Sequence, residues 1–224
     1  DLLIKKISRN NYNKKKIKLI NEILQYKLNS ANEILISQII KENINKKKFN
    51  HFKQFNLGVI SNNTTHFLKN SLEMIGFRNG IYIKILEASY GQTMQLALNK
   101  KNIFNMKKGV DAILLSIDQR EFPYLNKDNF FNSNSDISQQ CVNYLKIIKK
   151  NLQKKYNVPI IFQTIPMEET NIFGNYELNI SNSMKNILTE YNSKLFQFAS
   201  GTNDYVLDVA SLAEKIGLSN WHDQ

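Results

Sequence analysis

Cysteine is nearly absent. Cys141 is the only one, which excludes a disulfide framework and a cysteine-based metal site. Histidine is scarce too, with three residues far apart at 51, 66 and 222, a spacing that does not build a histidine metal site. Arginine is rarer than the charge suggests: 27 of the 30 cations are lysine, and a nucleic-acid reader normally leans on arginine. No window comes near the ~20 apolar residues of a membrane span, and the start, DLLIKKISRNNYNKKK, has no apolar signal core. A cytoplasmic setting with no membrane partner is the simplest expectation. Several chemical signatures are missing as well. There is no Walker loop, no glycine-rich dinucleotide turn after a strand, no HExxH and no phosphatase Asp-x-Asp motif.

What is present is a basic front and a nearly neutral body. Residues 1–55 carry 13 Lys/Arg against 4 Asp/Glu, and residues 56–224 carry 17 against 15. The front has helical spacing at Lys15–Lys27 and again at Asn32–Asn45, with Ser30 and Glu33 spelling a capping box. It reads as a basic helical leader or cap over 1–55, ahead of an α/β domain over 56–224.

The body alternates apolar runs with helical patterns. Strands are expected at 56–61, Ile81–Glu87, Val110–Ile117, Val158–Gln163 and Tyr205–Asp208. Helices are expected at 65–76, Thr93–Leu98, Asp136–Lys155, Ser181–Ser200 and Val209–Ile216. VDAILLSI is an unbroken apolar run suited to a central parallel strand. This order implies a three-layer α/β/α sandwich on a five-stranded parallel, flavodoxin-like sheet of order 2-1-3-4-5.

In such sheets ligands bind beyond the carboxyl ends of the strands. The polar residues expected there are Ser61, Asn62, Asn63, Thr64, Gly91, Gln92, Asp118, Arg120 and His222, with Thr164 beside them. Asp118 and Arg120 read either as a local ion pair or as a grip on a phosphate or carboxylate, since a guanidinium binds such groups in a two-pronged fashion. His222 reads either as a base for a hydroxyl nucleophile or as a packing residue beside Trp221.

Four stretches, VISNNTTHFL, EASYGQTMQ, DAILLSIDQRE and NWHDQ, carry a resemblance. Their order resembles the SGNH (GDSL-type) hydrolase fold, and together they look like the N-terminal domain of FkbH-like proteins over roughly 57–224. In SGNH register the serine position falls on Asn63, the oxyanion glycine on Gly91, the third-block asparagine on Asp118 and the histidine on His222. The aspartate that usually orients that histidine falls on Ser219. The resemblance therefore implies a degenerate triad, with Ser61 and Thr64 as the nearest hydroxyls and His222 as the retained base. The string Gly201-Thr202-Asn203-Asp204 copies a third-block motif but precedes a strand, and reads as a turn.

The resemblance further implies an accessory role. FkbH-like proteins join this domain to a haloacid-dehalogenase-type phosphatase, load a glyceryl-type unit onto an acyl carrier protein, and use Mg²⁺ in the phosphatase domain. No cofactor is expected in the present chain, and the Asp-x-Asp motif would lie downstream. The basic leader would then face an acidic carrier. Two other readings remain: a stand-alone ester or acetyl hydrolase using Ser61 or Thr64 with His222, and nucleic-acid binding through 1–55, which lacks arginine and a stacking platform.

Overall fold

The computed structural model describes residues 14–26, 28–45, 52–89, 91, 93–99, 104, 109–125, 136–167 and 173–221. The elements in chain order are α1 (Lys14–Ile23), α2 (Ser30–Asn45), β1 (Lys53–Ser61), α3 (His66–Arg78), β2 (Ile81–Glu87), α4 (Thr93–Leu98) and β3 (Ala112–Ser116). They continue with α5 (Ile137–Tyr156), β4 (Ile160–Gln163), α6 (Met184–Ala199), β5 (Tyr205–Leu207), α7 (Val209–Ile216) and α8 (Leu218–Trp221). Short 3₁₀ turns occupy Gln119–Glu121 and Gly174–Asn179. The strands form one parallel sheet in the order β2-β1-β3-β4-β5, with helices on both sides. This is the expected α/β architecture. β4 is in register with β3 through Ile160 and Ile161, and with β5 through Ile161, Phe162 and Gln163.

Contacts divide the chain into two compact units. One comprises Asp1–Leu57 and Thr64–Ile85, the other Gly58–Asn63 and Leu86–Gln224. In the first, Ile20, Ile23, Leu24, Ile36, Ile40, Met74 and Phe77 form a buried cluster. α2 and α3 are tied together by Glu73, a buried carboxylate that accepts a hydrogen bond from Ser37 Oγ at 3.0 Å and pairs with Lys41. A buried charge is tolerated when it is both paired and hydrogen-bonded. The start of α2 differs from the expected capping box. Asn29, not Ser30, caps it, its Oδ1 accepting from Asn32 N at 2.9 Å. The helix simply begins one residue earlier than the box requires.

The second unit has its own core, centred on Ile113, Leu115, Leu145, Ile148, Leu152, Ile160, Phe162 and Leu195. β3, AILLS, is buried along four of its five residues, as an interior strand must be. The long helices are capped by side chains. Asp136 Oδ1 accepts from Gln139 N at 2.8 Å at the start of α5, and Ser183 Oγ accepts from Asn186 N at 3.2 Å at the start of α6. α5 ends where Asn157 turns left-handed at φ 49°, and α7 ends at Gly217, φ 95°. Gly58 on β1 is required by close approach, since a Cβ there would lie 2.6 Å from the Phe104 ring.

Candidate functional site

β1 and β3 are sheet neighbours, so their carboxyl ends stand side by side. In this strand order that is the point where the winding reverses. Asn62 and Asn63 leave β1 there, and Asp118 follows β3 by two residues. All belong to the second unit. Asp118 caps the 3₁₀ turn by accepting from Arg120 N at 3.0 Å, and the turn brings the Arg120 side chain back over the carboxylate.

A closed polar set results. Asn62 Nδ2 donates to Asp118 Oδ1 at 2.8 Å, and Asn63 Nδ2 donates to Asp118 Oδ2 at 3.0 Å. Arg120 Nε donates to Oδ2 at 2.9 Å, while its Nη2 reaches both Asp118 and the amide oxygen of Asn63. Asn62 Oδ1 accepts from Asp118 N at 3.2 Å and from Asn63 Nδ2 at 3.1 Å. Partial burial by itself would raise the Asp118 pKa. The hydrogen bonds from Arg120, Asn63 and Asn62 outweigh it and hold the carboxyl below its ordinary range. An ionised, heavily solvated-by-protein carboxylate is a weak base. It does not suit a metal cation either, because a guanidinium already neutralises it. Among the described residues no group of three or more His, Cys, Asp or Glu is placed to hold a metal ion.

Ser61, at the end of β1, turns inward on its own loop. Its Oγ donates to Asn63 O at 3.1 Å and accepts from Asn63 N at 3.0 Å. The hydroxyl proton therefore goes to a carbonyl, which cannot act as a base. Thr64 follows directly and is exposed. Gly91 lies in the turn after β2 with a left-handed φ of 68°. Thr164 is fully buried at the end of β4, where its Oγ1 donates to Asp208 Oδ1 and accepts from Ala210 N, each at 2.9 Å. It fastens β4 to the start of α7. Gln92 and His222 lie outside the described residues.

The Gly201–Asp204 string sits at the amino ends of β4 and β5. Asp204 Oδ1 accepts from Ile160 N at 2.9 Å, and its other oxygen pairs with Lys149.

The family model described as FkbH, N-terminal domain, matches residues 56–224. The chain belongs to the FkbH N-terminal domain family. No curated protein matches it. Among solved structures it is similar to the N-terminal part of the protein BF1531 from Bacteroides fragilis, described as containing a phosphatase domain complexed with Mg. The TM-score is 0.66 at 16% identity, covering 80% of this chain and 46% of that one. At that identity the likeness shows the fold. The chain thus spans just under half the length of that relative. In this FkbH N-terminal domain Asn63 and Asp118 face each other across the β1–β3 ends. Among the described residues no helix is long and apolar enough to cross a membrane.

Proposed function

We propose that this FkbH N-terminal domain is a non-hydrolytic accessory domain. It would act beside a Mg²⁺-dependent phosphatase domain of the same polypeptide, in transfer of a glyceryl-type unit from a phosphorylated donor to an acyl carrier protein. The family assignment supports the first part. The phosphatase domain and Mg of the Bacteroides fragilis relative support the adjoining phosphatase, as an analogy, and the glyceryl transfer is what the resemblance to FkbH-like proteins implies. Metal chemistry then belongs to residues outside this chain.

The observation that carries the reading is the state of the two nucleophile positions. Asn63 is an amide that spends its N–H on Asp118, and the Ser61 hydroxyl is bonded to Asn63 at both ends. A serine nucleophile needs a base to take its proton. Here the Ser61 proton points at a backbone carbonyl, and the neighbouring carboxylate is occupied by Arg120 and two amides.

The test is intact-mass spectrometry after incubation with a fluorophosphonate. No stoichiometric adduct is expected on Ser61 or Thr64. An adduct that forms in the wild type and is lost in His222→Ala would replace this reading with a serine-type ester hydrolase.

A further inference from the structure

The second unit is electrically balanced from Leu86 onward: residues 86–224 hold 14 Lys/Arg and 14 Asp/Glu. Its cations are nonetheless concentrated. α5 carries five lysines, Lys146, Lys149, Lys150, Lys154 and Lys155, and no Asp or Glu between Ile137 and Tyr156. Four of the five fall on one side of the helix. With Gln153 and with Phe198 of α6 they line an open cleft of about 500 Å³.

The cleft is organised around a half-buried aromatic ring. Lys149 Nζ stands 4.9 Å from the Phe198 ring centroid and Lys146 Nζ 5.8 Å from it. Lys149 also pairs with the buried Asp204, which fixes it as part of the wall. Among the described residues no ion pair is formed by Lys146, Lys150 or Lys154. Beside this row Ile147 is half exposed, at 49%. Lysine belongs to the polar rim of an interface rather than its core, and such a row sets register by charge while the exposed Ile147 beside it offers apolar contact.

The spacing selects the partner. Lys146, Lys150 and Lys154 recur every four residues, so their positions step about 6 Å along the helix. A second helix bearing carboxylates every four residues repeats at the same step. A single-stranded nucleic acid fits less well, because it needs aromatic faces for its bases and the Phe198 ring is already covered by lysine. We propose that the α5 lysine row, with the Phe198 cleft, is a docking surface for an acidic helix of a partner protein. The inference does not depend on how the β1–β3 site is read.

The probe is a synthetic alanine-based helical peptide with glutamate at every fourth position. Its binding to the whole chain is followed by fluorescence anisotropy, and its contacts are fixed by zero-length carbodiimide crosslinking and mapped by mass spectrometry. Crosslinks are expected to concentrate on Lys146, Lys150 and Lys154. The triple charge reversal K146E/K150E/K154E is expected to weaken binding about tenfold. The neutral triple K146Q/K150Q/K154Q should weaken it by a smaller factor, with an unchanged far-ultraviolet spectrum showing that the fold is intact. The control K14E/K15E/K16E in α1 should change affinity less than about twofold, which separates a local site from general charge. Crosslinks spread evenly over the lysines, or an equal loss in the α1 control, would overturn the proposal. So would tighter binding of a single-stranded oligonucleotide of equal charge that depends on the same three lysines.

Discussion

Asp118 shows how one side chain fixes the character of a site. Burial works against its charge, yet six hydrogen-bond donations from Arg120, Asn63 and Asn62 keep it ionised. Its folded pKa lies below the ordinary value of 3.8, so the stabilisation is fully present above that value and is lost as pH falls through the folded one. Asp118→Asn is therefore expected to cost about 1.5–3 kcal/mol at neutral pH, the scale of a hydrogen bond to a charged group. Urea unfolding at pH 7 and again near pH 3 checks it. The deficit should narrow at the lower pH, and a deficit that stays constant would mean the charge is not what matters. At this scale the sequence was partly legible. Asp118 and Arg120 two residues apart suggested either a local pair or a grip on an anionic group, and the pair is there. That Asn62 and Asn63 complete it was not readable, because they are more than fifty positions away and only strand adjacency joins them. Thr164 had the right position after a strand, but its hydroxyl is consumed by the start of α7.

At the scale of elements, β1 illustrates how a strand is shaped by what crosses it. Gly58 is buried and faces Phe104, with no room for a methyl group. Gly58→Ala is expected to destabilise by about 1–3 kcal/mol through overpacking. Combining it with Phe104→Leu, which shortens the opposing side chain, should cost less than the sum of the two single changes. A double-mutant cycle by thermal or urea unfolding reads this directly, and strict additivity would show that the two residues do not press on each other. Element types were legible because the periodicities are clear: Ile81–Glu87, Thr93–Leu98 and Val209–Ile216 lie where the spacing puts them. Ends were less so. β1 begins at Lys53 because a strand's pairing continues past its apolar stretch, and β3 is shorter than VDAILLSI because pairing stops before the hydrophobicity does. The α5 lysines were visible as letters. Their convergence with Phe198 on one cleft was not, since that depends on how α6 lies against α5.

At the scale of the molecule, the described residues form two cores with no residue in common, one around Ile40, Met74 and Phe77, the other around Ile113, Leu145 and Ile148. Ile40→Val and Ile148→Val each remove one methyl from a fully buried position and are each expected to cost about 0.5–1.5 kcal/mol. Because the clusters share no member, the double variant should be additive within about 0.5 kcal/mol by urea unfolding, and a larger coupling would show that the cores respond as one. The α/β class, the alternation of elements and the strand order were already legible in the residues alone, because hydrophobic period and short right-handed connections leave few arrangements open. The sequence also carried the family, in four short stretches. The tertiary structure decided which polar residues work together. Proximity between Asn63 and Asp118, or between Lys149 and Asp204, arises from strand and helix packing across tens of residues, and no local pattern in the chain encodes it.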